Sequence, residues 1–195
     1  MTQRRIIQNE YPYLLTTNVR GGELFFKDAG HAKALAKVIR TTCELKHFAL
    51  LAYCIVPEHV HIIVAPLNNI EVTAGSAARA RGAGKISTRP ERPAVAAGII
   101  NIKFTVSDLM HGIKSYFIHA LRTGRTNIAF AWQPRFNSRV LNSEDYLRTA
   151  IEYVLYNPKK VGLPVRYCKQ PYMFVDNEQV NSLFYDRGQS RPRSE

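Results

Sequence analysis

The chain is predicted to be an α+β protein in which a four-stranded antiparallel sheet carries helices packed on one face. Two observations carry that expectation. Strand-like and helix-like segments follow one another as strand, helix, strand, strand, helix, strand, helix, and the strand candidates are short apolar runs closed by turn residues.

The first strand is read over Tyr11–Arg20 (YPYLLTTNVR), which mixes aromatic, β-branched and polar residues and is stopped by Gly21-Gly22. From His31 to Lys46 the apolar residues Ala34, Leu35, Val38, Ile39 and Leu45 recur at helical spacing and predict an amphipathic helix. Phe48–Val56 (FALLAYCIV) is an unbroken apolar run of the kind found in buried central strands. His59–Ala65 (HVHIIVA) continues as the next strand, with Pro57-Glu58 as a tight connection.

The stretch from about 68 to 104 differs in kind. It is rich in Ala, Gly, Arg and Pro, has no periodicity, and carries Arg79, Arg81, Lys85, Arg89, Arg92 and Lys103 against Glu71 and Glu91. A long segment of this composition inside a compact domain is either a functional loop or a merely flexible one. It is read as a basic insertion that orders on nucleic acid. The chain then resumes with a helix over Val106–Leu121, capped by Ser107 or Asp108, with Leu109, Ile113, Phe117 and Leu121 on one face. Ala131–Leu141 (AWQPRFNSRVL) reads as a strand. Asn142 or Ser143 caps the last helix, whose apolar face is Leu147, Ala150, Ile151, Val154 and Leu155, and which is expected to stop at Asn157-Pro158. Together these elements fit a ferredoxin-like arrangement over residues 1–165, followed by a partly flexible C-terminal extension over 166–195.

Composition narrows the function. A length of 195 residues holds one domain with a real core, and an apolar fraction of 46% with 22% charged residues excludes a disordered chain. Net charge is +12, which attracts polyanions, nucleic acid first, although a basic surface also occurs without such a partner. Three widely spaced cysteines, with no CxxC pair, point to neither a zinc knuckle nor a disulfide framework. There is no run of eighteen apolar residues and no apolar N-terminal stretch of signal-peptide type, so a soluble, cytoplasmic protein is expected.

His59 and His61 carry the first chemistry. Residues two apart on a strand project to the same side, so the two imidazoles stand together while Val60 and Ile62 point away. Neutral imidazoles so placed hold one divalent ion; the alternative is a pair of satisfied structural histidines. A metal needs a third donor, and His31, His47, His111 and His119 have no spacing that supplies it. On the last helix Tyr153 and Asn157 are four apart and share a face. An amide oxygen ligates a hard cation, and a tyrosine becomes a nucleophile once its proton is removed. Tyr156 would face away from Tyr153, and Tyr146 and Tyr116 sit on or beside apolar faces. Glu58 either orients a histidine or is a surface turn residue. Arg135 and Trp132 in WQPRF either meet phosphate and base or anchor the core. With Lys114 and with Arg79, Arg81 and Lys85 of the basic segment they are the candidate DNA contacts.

Four segments in order, VPEHVHIIVAP, IKSYFIHAL, WQPRFNSRVL and DYLRTAIEYVLYNPKKVGL, together resemble the single-tyrosine HUH transposases, and among them the REP-associated tyrosine transposases. The resemblance runs from about Tyr11 to Leu163. It implies the HUH endonuclease fold, with His59-Val60-His61 as the His-hydrophobic-His motif, Tyr153 as nucleophile and Asn157 as third metal ligand. It further implies magnesium or manganese, no nucleotide cofactor, and a single-stranded DNA substrate with a hairpin. Cleavage would pass through a 5′-phosphotyrosine, and such proteins work in the cytoplasm on the nucleoid as monomers or homodimers. The basic segment departs from the family pattern and bears on how DNA is gripped. The competing readings are a domesticated relative that binds DNA without cutting it, and an unrelated HxH metal enzyme such as a cupin-like oxygenase. The latter needs an acidic ligand that HVHIIVAPLNN does not offer.

Overall fold

In the computed structural model the described residues are 11–67, 104–123 and 129–182. The basic segment over 68–103, with Arg79, Arg81 and Lys85, lies outside them.

The elements are β1 (Tyr13–Asn18), α1 (Ala29–Leu45), β2 (Phe48–Val56), β3 (His59–Pro66), α2 (Val106–Thr123), β4 (Asn137–Val140), α3 (Glu144–Lys160) and β5 (Met173–Val175). They form one sheet in the order β4-β1-β3-β2-β5, with every neighbouring pair antiparallel. The four expected strands are joined by a fifth, β5, at the outer edge of β2. It is three residues long, too short to leave an alternating pattern in the sequence. The strand expected over 131–141 shrinks to Asn137–Val140, and Trp132 makes only an isolated bridge to Val19.

The apolar runs in β2 and β3 have no polar face, so the sheet must be covered on both sides. Val60, Ile62 and Val64 point, with Leu15, Tyr53 and Ile55, into a core shared with Leu35 and Ile39 of α1 and Leu109, Ile113 and Phe117 of α2. Ile63 and Ala65 point the other way, with Cys54 and Val56, into a second core closed by Leu147, Ile151 and Val154 of α3. Thus α1 and α2 share one face and α3 covers the opposite one. By parity, His59 and His61 lie on the α3 side.

Local chemistry sets the helix ends. Asp28 caps α1 by accepting from the His31 N–H, and Ser143 caps α3 by accepting from the Tyr146 N–H. At α2 the cap is Thr105 rather than Ser107: its hydroxyl accepts from the Asp108 N–H while the Asp108 carboxylate accepts from the Thr105 N–H. The expected stop of α3 at Asn157-Pro158 is not where the helix ends. Proline forfeits one hydrogen bond but its fixed φ is helical, and α3 runs on to Lys160. Gly162 ends it, with φ of 69° and its N–H donating to the Lys159 carbonyl. Asn157 is therefore held inside regular helix, one turn beyond Tyr153.

Candidate active site

Strand β3 presents two imidazoles toward α3, and their Nε2 atoms stand 3.1 Å apart. The far side of each ring is engaged. His59 Nδ1 is 3.1 Å from a Glu58 carboxylate oxygen, and His61 Nδ1 is 2.9 Å from the Thr16 hydroxyl. The Glu58 carboxylate can only accept, so His59 donates from Nδ1 and keeps its lone pair on Nε2; the Thr16 hydroxyl can accept from His61 Nδ1 in the same way, which would aim both lone pairs at one place. Thr16 is directly opposite His61 across the β1–β3 pairing.

Helix α3 completes the cluster. Asn157 is 4% exposed; its Nδ2 lies 3.3 Å from His61 Nε2, and its Oδ1 is buried with no hydrogen-bond partner among the described residues. A half-turn of the amide exchanges the two atoms and turns the oxygen toward the imidazoles. One turn earlier, the Tyr153 ring meets His61 edge to face with centroids 5.4 Å apart, and Tyr153 is 41% exposed. Lys160 Nζ stands 5.7 Å from the centre of the Tyr153 ring.

His61 is buried, and burial, then the neighbouring His59, pushes its pKa down from the ordinary imidazole value to about 4. It is neutral at physiological pH, the form that binds metal. The donor set fits a divalent cation: two imidazoles and an amide whose buried oxygen lacks a partner among the described residues. Among the described residues no three His, Cys, Asp or Glu side chains gather as a metal-binding group.

The other candidates are placed differently. Glu58 is paired with His59 rather than standing as an unattached turn residue. Trp132 is 5% exposed and packs against Phe26, Phe117 and Phe130, the position of a core anchor and not of a platform for a base. Arg135 is exposed, and Lys114 donates to the backbone carbonyls of Gln133 and Arg135, tying α2 to the segment before β4. Tyr156 is 60% exposed and outside the cluster. His31 stacks on Phe25 instead. Cys43, Cys54 and Cys168 are free, and burial raises the first two thiols to about 12. Sequence reasoning missed Thr16, whose role depends on strand register and leaves no local signal.

The same architecture occurs in a solved structure of a REP-associated tyrosine transposase bound to a REP hairpin. The two superpose with a TM-score of 0.58 over 89% of this chain and 81% of that chain, at 20% sequence identity. The fold is that of a REP-associated tyrosine transposase. A crystal structure from Deinococcus radiodurans, described provisionally as a transposase, aligns with a TM-score of 0.42 over 80% of this chain and 97% of that chain, at 14% identity. No family model and no curated protein matches the sequence. Among the described residues, no helix is long and apolar enough to cross a membrane.

Proposed function

We propose that the protein is a DNA transposase-type enzyme that cuts single-stranded DNA beside a hairpin and rejoins it, with Tyr153 as nucleophile and a magnesium or manganese ion on His59, His61 and Asn157. The observation that carries the reading is the convergence of these side chains from β3 and α3. The fold shared with a protein that binds a REP hairpin supports the choice of substrate.

The ion, when bound, polarises the scissile phosphate and offsets the charge growing on its oxygens. Glu58, which can only accept, holds His59 in the tautomer that leaves Nε2 free, and Thr16 orients the His61 ring from behind. Lys160 adds a positive charge beside the tyrosine, where the phosphate must come. Tyr153 Oη gives its proton to solvent and attacks phosphorus; the bond to the 3′-oxygen breaks, and that oxygen takes up a proton and leaves as a 3′-hydroxyl. The DNA 5′-phosphate stays esterified to Tyr153. When a 3′-hydroxyl attacks that ester, the phosphodiester reforms and the phenol is released. One ester replaces another at each step, so no nucleoside triphosphate is consumed. The net charge of +12 favours capture of the polyanion before chemistry begins.

The test is direct. Labelled hairpin DNA with single-stranded flanks, incubated with the protein and manganese, should yield a protein–DNA adduct that survives a denaturing gel. No adduct from the native protein, with DNA binding intact, would establish the non-cleaving alternative.

A further inference from the structure

On the α3 side of the sheet, next to Tyr153, a cleft of about 400 Å³ opens between β4, β1 and α3. Its floor is in strict register. Asn137 pairs with Thr16, which pairs with His61, so a straight row of side chains runs from the edge strand to the histidine cluster. One pleat further along β4, Arg139 is opposite Leu14, whose own partner on β3 is Ile63. Asn137 and Arg139 are both exposed, and being two apart they project to the same face. From α3, Tyr146 leans over this floor, with the Arg139 guanidinium 6.0 Å from its ring centre. Among the described residues no carboxylate lines the cleft, and Arg139 is the charged side chain in its wall. Among the described residues, Arg139 has no carboxylate partner.

We propose that this cleft seats one unstacked nucleotide of the DNA strand, adjacent to the scissile phosphate. In that seat Tyr146 offers a face for the base, Asn137 hydrogen-bonds its edge and Arg139 holds its phosphate. The inference rests on the reading of Tyr153 as the DNA-cleaving nucleophile, and adds to it a place where sequence next to the cut is read. Size selects a single nucleotide: the volume lies toward the lower end for small-ligand pockets and admits no duplex. The lining suits it as well. An aromatic ring and apolar Leu14 accept a base plane, an amide offers both a donor and an acceptor, and a lone cation matches one phosphate. A strand whose phosphate lies at Tyr153 and His61 has its neighbouring nucleotide on the row that leads to Asn137.

Binding in EDTA tests this without chemistry. A labelled hairpin with single-stranded flanks is titrated by anisotropy, with an abasic residue moved one position at a time along the flank. The native protein should lose about tenfold or more in affinity at one flank position and little at its neighbours, in line with the worth of one base–aromatic contact. In Tyr146→Leu, which keeps an apolar side chain over the floor, the same abasic substitution should cost no more than at other positions. Asn137→Ala should change which base is preferred there, and Arg139→Ala should weaken binding to every sequence alike. A flat abasic profile, or a sensitive position unchanged by Tyr146→Leu in a protein of normal melting temperature, overturns the proposal. The adduct assay reports separately on Tyr153. An adduct with a flat profile sinks only the seat, and a sharp profile without an adduct sinks only the cleavage reading.

Discussion

Asn157 on α3 and His61 on β3, 96 residues apart in sequence, lie side by side, with the amide Nδ2 3.3 Å from the imidazole Nε2. This contact ties the helix that carries Tyr153 to the strand that carries the histidine pair. It also leaves a polar atom, Asn157 Oδ1, buried without a partner among the described residues. A buried unsatisfied acceptor costs about 1–3 kcal/mol, so its retention needs a compensating role.

Replacing that amide separates stability from function. Asn157→Leu keeps the volume and removes the unsatisfied oxygen along with the donor to His61, two opposing effects of about 1–3 kcal/mol each, so the metal-free protein should melt within a few degrees of the native one. The same variant should lose manganese-supported adduct formation by about a hundredfold or more. Calorimetry in EDTA together with the denaturing-gel assay checks both. A fall in melting temperature with activity retained would make Asn157 a structural residue instead.

Tyrosine substitutions give the sharpest contrast. Tyr153→Phe removes one hydroxyl from a residue that is 41% exposed, so folding should change by no more than about 0.5 kcal/mol while the covalent adduct disappears. Tyr156→Phe, three residues on and 60% exposed, should leave the adduct yield unchanged. An adduct from Tyr153→Phe would remove Tyr153 from the mechanism.

Much of this arrangement was legible in the sequence, and the losses have identifiable causes. The ends of β2 and β3 could be read because Pro57-Glu58 interrupts two apolar runs, and strand parity alone put His59 and His61 on one side. The helical spacing of Tyr153 and Asn157 likewise needs only local geometry. Thr16 was invisible because its contact with His61 depends on the register between β1 and β3, a pairing across 45 residues. Pro158 misplaced the end of α3 because its fixed φ is itself helical, and the chain stays helical to Lys160 until Gly162 takes a left-handed φ. Trp132 could be read as a base-stacking residue or a core anchor, and only the cluster of Phe26, Phe117 and Phe130 around it decides.

The partners behind the imidazoles yield a third expectation. Glu58 and Thr16 each engage an Nδ1 atom, and loss of such an orienting group lowers metal affinity about 10–100-fold. Glu58→Gln and Thr16→Val should therefore weaken manganese binding by that order, measured by titration calorimetry, with saturating metal restoring most of the adduct yield. If neither change moves the metal affinity, the hydrogen bonds behind the rings do not set the tautomers.

Acidification should destabilise the metal-free protein through His61. An unfolded chain binds a proton at an ordinary histidine near pH 6.5, whereas burial and then His59 hold the folded value at about 4. Between those values the unfolded state takes up a proton that the folded state refuses. The stability tied to His61 is therefore complete above about pH 6.5 and declines as pH falls toward 4, by no more than about 3 kcal/mol over the whole interval. Urea midpoints in EDTA should drop over this range in the native protein, and His61→Gln, which has no proton to gain, should remove that part of the slope. An identical slope in both proteins would assign the acid sensitivity to another group.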